Sequence, residues 1–131
     1  MAVVVDTDVV SFLFKGDTRA ALYHPHLSGH LLIISPMTRA ELERWTLERS
    51  WSTLRREAMR THLKRFVLAP FDEAMCIHWA EATDSARRAG RPIASADAWV
   101  AATALHYAIP LITHNIGDYT GVANLTLISE R

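Results

Sequence analysis

Short apolar runs recur along the chain at intervals that suit buried strands. Ala2–Val5, Leu31–Ile34 and residues 66–68 and 111–113 are such runs, with residues 125–128 as a fifth. The longer stretches between them repeat apolar positions with helical spacing. These are Thr7–Lys15 and 17–27, separated at Gly16, then 36–49, 51–65, 72–89 and Ser95–Tyr107. Ser35 followed by Pro36 is a helix start signal, because the serine can cap and the proline suits the first helical position. Gly90 and Pro110 stop the two later helices, and Ser95 reads as the cap of the last. Short buried strands alternating with helices predict an α/β fold, a single domain over residues 1–131 with a mainly parallel sheet of about five strands. In open sheets of this kind chemistry gathers at the carboxyl ends of the strands. The residues that follow each apolar run are therefore the ones to read for function.

The chain is 131 residues long, enough to bury a core without disulfides or a structural metal. Its single cysteine, Cys76, excludes an internal disulfide framework and a Cys-rich zinc site, and reads as a small buried apolar residue. The first residues lack the basic start and apolar length of a signal peptide, and no stretch is long enough to span a bilayer, so a cytoplasmic protein is expected. Formal net charge is zero, yet the charge is unevenly spread. Between Arg39 and Arg65 there are eight basic residues against four acids, and from Phe66 onward four against seven. The basic stretch is either a solvated helix face with i,i+4 ion pairs or a surface that contacts phosphates.

Four acids fall where the chain leaves a strand or enters a helix. Asp6 follows the first run, Glu41 lies early in the helix after the second, Asp97 opens the Ser95 helix, and Asp118 follows the fourth run by way of His114 and Asn115. Each alone has an ordinary role: a cap for Asp6, a dipole contact for Asp97, a turn for Asp118, solvated surface for Glu41. Asp8 is a possible extra carboxylate, two residues after Asp6 and expected to face elsewhere or cap the helix. Gathered in one pocket, the four repel. A like-charge pair at ~4 Å costs about 4 kcal/mol at an effective dielectric near 20. Such a cluster needs protonation or a cation, and an all-oxygen donor set suits Mg²⁺ or Mn²⁺.

Val3-Val4-Val5-Asp6-Thr7-Asp8-Val9-Val10-Ser11 resembles the opening of a PIN domain of the VapC toxin type. Ser35-Pro36-Met37-Thr38-Arg39-Ala40-Glu41-Leu42, the segment from Ile93 through Asp97 to Ala104, and Leu111-Ile112-Thr113-His114-Asn115-Ile116-Gly117-Asp118-Tyr119 agree in order and spacing over nearly the whole chain. The resemblance implies a Mg²⁺-dependent endoribonuclease (Mn²⁺ as an alternative ion), the toxin of a toxin–antitoxin pair, acting as a homodimer and inhibited by a small antitoxin protein. Cleavage would leave a 5′-phosphate and a 3′-hydroxyl. Asp6 and Asp97 would be the main metal ligands, Glu41 a ligand or water-orienting acid, and Asp118 the fourth acid. Thr113 and Asn115 match the element that holds substrate or water. Many PIN domains carry an acid where this chain has Asn115, so the acid three residues later takes that place. Arg55 and Arg56, in the basic stretch, are candidate contacts to the RNA backbone.

Other chemistries lack their residues. The seven histidines, His24-Pro25-His26 included, offer no i,i+4 pair on one helix for zinc. His114 reads as a loop histidine, and Trp45, Trp51, Trp79 and Trp99 as packing. Phosphate-cradling glycine motifs and a serine-hydrolase elbow are absent. A phospho-accepting receiver domain would need a lysine after Lys64, and none follows. The alternative that remains is a catalytically silent PIN-like module that binds RNA or protein.

Overall fold

The computed structural model describes all residues, Met1–Arg131. Its strands are β1 (Ala2–Val5), β2 (Leu31–Ile34), β3 (Val67–Leu68), β4 (Leu111–Ile112) and β5 (Leu127–Ile128). The helices are α1 (Thr7–Lys15), α2 (Ala20–Leu27), α3 (Pro36–Glu48), α4 (Thr53–Leu63), α5 (Glu73–Arg88) and α6 (Ser95–Tyr107), with a 3₁₀ turn at Ile116–Asp118. All strand pairs are parallel, in the order β3-β2-β1-β4-β5. The predicted elements are all present, with the last three strands shorter than expected. The second helix begins at Ala20 because Asp17 accepts from the Arg19 backbone N–H at 2.9 Å, a side-chain turn in place of helical pairing. No helix is long and apolar enough to cross a membrane.

Alternation along the strands divides the core into two layers. Val3 and Val5 face α1–α4 with Val10, Leu42, Met59 and Leu63, whereas Val4 faces α5 and α6 with Met75, Ala82, Ala101 and Ala104. Alanines dominate the inner face of α6, where Ala98, Ala101, Ala102 and Ala104 are buried. Such small side chains let the helix approach the sheet closely, which brings its N-terminus to the strand ends. Ser95 corrects one expectation. It is the first helical residue, Ala94 is the cap position, and no side chain caps this helix. Cys76 corrects another: it is exposed on α5. Apolar neighbours in sequence suggested burial, but Ile77 beside it is also exposed, at 53%.

Candidate active site

The chain leaves β1 for β2 on one side and returns as β4 on the other, so the carboxyl ends of β1 and β4 form a topological switch point. Asp6 is the first residue beyond β1, and its backbone N–H donates to the Ile112 carbonyl of β4 at 2.9 Å. Both carboxylate oxygens are engaged. Oδ1 accepts from the Thr7 backbone N–H at 2.8 Å, the N-cap of α1. Oδ2 accepts from Thr113 Oγ1 at 2.8 Å and from the Tyr119 hydroxyl at 2.9 Å. Asp6 thus caps α1 with one oxygen and is held by Thr113 and Tyr119 through the other. Thr113, just past β4, is fully buried and also accepts from the Asn115 backbone N–H at 3.1 Å.

An open pocket of about 210 Å³ lies over these strand ends. Asp6, Glu41, Asp97 and Asp118 all line it, together with Asp8, Asn115, Thr7 and Trp45. Glu41 Oε1 accepts from Thr7 Oγ1 at 3.1 Å, and Thr38 Oγ1 stands 3.0 Å from the same hydroxyl. Asp97, in the first turn of α6, is 3.4 Å from the Tyr119 hydroxyl. Asp118 is on the exposed 3₁₀ turn. Asp8 was expected to face elsewhere or cap the helix; it does cap, but it lines the same pocket as the four acids rather than facing away from it. Its Oδ1 accepts from the Val9 backbone N–H at 2.7 Å, while Oδ2, in the pocket, accepts from the His114 N–H and from Asn115 Nδ2, each at 3.0 Å.

The carboxyls show the strain of gathering. Burial pushes Asp6 upward despite three hydrogen bonds that favour its anion, and the charge of Asp118 adds to the rise. Asp8 is pushed up to about 7 by burial and then by Asp6. Asp97 is pushed up to about 6 by burial, with Asp6, Asp118 and Glu41 contributing repulsion. Glu41 is raised by burial, aided by Asp6 and opposed by the Thr7 hydroxyl. Tyr119 is raised far above its ordinary value, first by burial and then by Asp6 and Asp97, so it stays a neutral donor.

Tyr119 is the residue that motif reading passed over. Its ring is 1% exposed and its hydroxyl reaches both Asp6 and Asp97. A tyrosine directly after a turn acid gives no signal of this until the turn is folded back. Gly121 permits that folding: a Cβ there would stand 2.5 Å from the Arg91 carbonyl oxygen and 2.8 Å from the Arg91 Cβ.

Arg55 and Arg56 are not brought to the pocket. Arg55 stacks on Trp51 at 3.9 Å, and Arg56 is half-buried with its Nε unpartnered. His114 is held by the Tyr23 hydroxyl through Nδ1, away from the acids.

As the side chains stand, no three His, Cys, Asp or Glu groups are arranged to hold an ion among them. A hydrated Mg²⁺ does not require that, because it keeps several waters and binds through one or two carboxylates. The donor set is all oxygen, and the mutual repulsion of its members is what a divalent cation relieves. The residues present therefore fit such an ion.

A family model for the PIN domain matches residues 3–117. Ribonuclease VapC1 of Haemophilus influenzae strain R2866 is 26% identical over 127 residues, covering 95% of each chain. Among solved structures, VapBC2 from Rickettsia felis, bound to a DNA fragment from its promoter, superposes with a TM-score of 0.86 at 18% identity over 100% of both chains. VapBC-1 from nontypeable Haemophilus influenzae gives 0.83 at 24% identity over 98% of both.

Proposed function

The chain belongs to the PIN-domain family, and we propose that it is a divalent-metal-dependent endoribonuclease, the toxin of a toxin–antitoxin pair. The observation that carries this reading is the convergence of Asp6, Glu41, Asp97 and Asp118 on one pocket at the switch point. Burial and repulsion there raise the pKa of Asp6, Glu41 and Asp97. A fold gains nothing in stability from such an arrangement, so its use lies in binding. In this reading Asp6 and Asp97 hold Mg²⁺, with Mn²⁺ as an alternative. The ion, when bound, neutralises charge on the scissile phosphodiester and makes water a better nucleophile.

The chain's own groups do the rest. Thr113 and Tyr119 fix Asp6 in one orientation by donating to Oδ2. Glu41, oriented by Thr7, accepts a hydrogen bond from the attacking water and its proton as the phosphorus–oxygen bond forms. Asp118, exposed on its turn, orients water from the opposite rim. Asn115 and Thr113 hold the 113–118 loop against the substrate. As the new phosphorus–oxygen bond forms, the bond from phosphorus to the 3′ oxygen breaks and the departing oxygen takes a proton from water, leaving a 5′-phosphate and a 3′-hydroxyl. Because Arg55 and Arg56 lie outside the pocket, any contact they make is to RNA beyond the scissile phosphate.

The curated relative is named as a ribonuclease, and the similar solved structures are VapBC assemblies. By that similarity we assign this chain a small antitoxin as protein partner, and from the family resemblance alone we assign a homodimeric state, a cytoplasmic location and a single PIN domain over residues 1–131. The test is cleavage of RNA by antitoxin-free protein with Mg²⁺ or Mn²⁺, with EDTA, and with Asp6→Asn. Cleavage that requires both the metal and Asp6 is the expected result. One competitor is a silent binding module, toward which only the neutral Asn115, where many PIN domains carry an acid, leans. Robust cleavage by folded Asp6→Asn would overturn the assignment of the site, and failure of the native protein to bind either metal would decide against the nuclease and for the silent module.

A further inference from the structure

The acidic pocket poses a problem for any RNA that enters it, because four or five carboxyls repel the phosphates on either side of the scissile bond. Cations must stand beside the pocket to hold the strand. Three arginines of the basic segment are already engaged by carboxylates. Arg39 pairs with Glu43 at 3.5 Å, Arg44 with Glu48 at 3.1 Å, and Arg60 with both Glu43 and Glu57.

Three other cations differ. Lys15, at the end of α1, lies over the Trp45 ring with Nζ 5.9 Å from the centroid, and Arg49, at the end of α3, lies over the same ring at 4.9 Å. Arg55 lies over Trp51 at 3.9 Å, and Trp51 itself stacks on Phe14, the neighbour of Lys15, at 5.8 Å. All three cations are exposed, and none makes an ion pair with a carboxylate. Trp45 is the joint, since it both bears Lys15 and Arg49 and lines the acidic pocket. A guanidinium laid on an indole loses rotamer freedom before it meets a ligand, while its edge stays open to a phosphate.

We propose that Lys15, Arg49 and Arg55, held on Trp45 and Trp51, form a phosphate-binding track that carries the backbone of single-stranded RNA away from the acidic pocket. The proposal rests on the nuclease reading, and it names the side of the site along which the substrate lies. Phosphate is favoured over an acidic protein segment by continuity with the pocket, which Trp45 lines while it bears Lys15 and Arg49.

The test is the affinity of a short fluorescein-labelled single-stranded RNA of mixed sequence, read by anisotropy in EDTA between about 50 and 300 mM salt. Each lost phosphate contact lowers the slope of log affinity against log salt by about 0.7, and weakens binding about fivefold at 0.1 M salt. Lys15→Gln with Arg49→Gln should therefore weaken binding about 25-fold and reduce the slope by about 1.4. Lys15→Arg with Arg49→Lys, which keeps both charges, should restore the slope. Unchanged affinity and slope in the Gln pair, while native protein binds RNA, overturns the track and leaves the nuclease standing. So does loss of a protein partner with RNA binding intact. Native protein that neither binds nor cleaves RNA overturns both.

Discussion

Replacing Asp97 by Asn should make the metal-free protein more stable while abolishing cleavage. In the folded protein the Asp97 carboxyl is pushed up to about 6 by burial and by the charges of Asp6, Asp118 and Glu41. Ionising a carboxyl so raised above its ordinary 3.8 costs about 3 kcal/mol at ~1.4 kcal/mol per pH unit. Asp97 is half-exposed, so solvent screening roughly halves that figure. Losing a carboxylate from the first turn of α6 takes back about 0.5 kcal/mol of dipole interaction. The net gain is about 1 kcal/mol, or roughly 4 °C in Tm for a chain of this length. The sign fixes its pH window. A raised pKa means the folded state holds its proton more tightly, so stability is present at low pH and lost as pH rises through 6. The advantage of Asp97→Asn should therefore be clear at pH 8 and absent near pH 4. Mg²⁺ reverses the order. At about 100 times its Kd it adds about 2.7 kcal/mol to native protein and little to the variant. Thermal melts at pH 8, in EDTA and in Mg²⁺, should show the two proteins exchanging rank. Asp97→Asn melting below native protein in EDTA, or equal Mg²⁺ shifts in both, would refute the reasoning.

Two further perturbations probe the support of the site. Tyr119→Phe removes only the hydroxyl shared by Asp6 and Asp97. It should weaken Mn²⁺ affinity about tenfold by calorimetry, as loss of a supporting contact to a ligand typically does, while the circular dichroism stays native; undiminished affinity would show that the bridge holds nothing. Gly121→Ala places a Cβ against the Arg91 carbonyl and Cβ. It should lower stability by about 1–3 kcal/mol in urea titration and also lower Mn²⁺ affinity, since the turn it displaces carries Tyr119; destabilisation with native affinity would uncouple the two.

The strand positions and the acids were legible in the sequence because both are local facts. A run such as Val3-Val4-Val5 followed by Asp6 states its own burial and its own end. What could not be read was anything set by approach from another element. Tyr119 is one residue beyond a turn acid, and only the packing of Gly121 against Arg91 turns its hydroxyl to Asp6. Cys76 sits among apolar neighbours yet faces out, because α5 buries Met75, Ala82 and Ala86 and leaves the flank of Cys76 and Ile77 to solvent. The basic segment was open to two readings and divides between them. Arg39, Arg44 and Arg60 are paired along the helices, whereas Arg49 and Arg55 lie on tryptophans.

The amide at Asn115, where many PIN domains carry an acid, follows from Asp8. Asn115 Nδ2 donates to Asp8 Oδ2 at 3.0 Å, and the same oxygen receives the His114 N–H at 3.0 Å. An aspartate at 115 would replace that donor by a second anion, beside a carboxyl already pushed up to about 7 by burial and by Asp6. Asp8 and Asn115 are therefore a matched pair, and the fourth acid is free to stand at Asp118. The pairing predicts a thermodynamic cycle. In EDTA at pH 8, Asn115→Asp should destabilise by about 1–2 kcal/mol, the lost hydrogen bond plus screened repulsion. Near pH 4, where the pair shares a proton, the effect should shrink. Adding Asp8→Asn removes the second anion and turns an amide N–H to the new carboxylate, but it takes the acceptor from the His114 N–H. It should therefore recover part of the loss, giving a coupling energy of about 1 kcal/mol. Urea melts of the four proteins read the cycle directly. Additive effects would mean that the 3.0 Å contact is incidental and that Asn115 was free to be an acid all along.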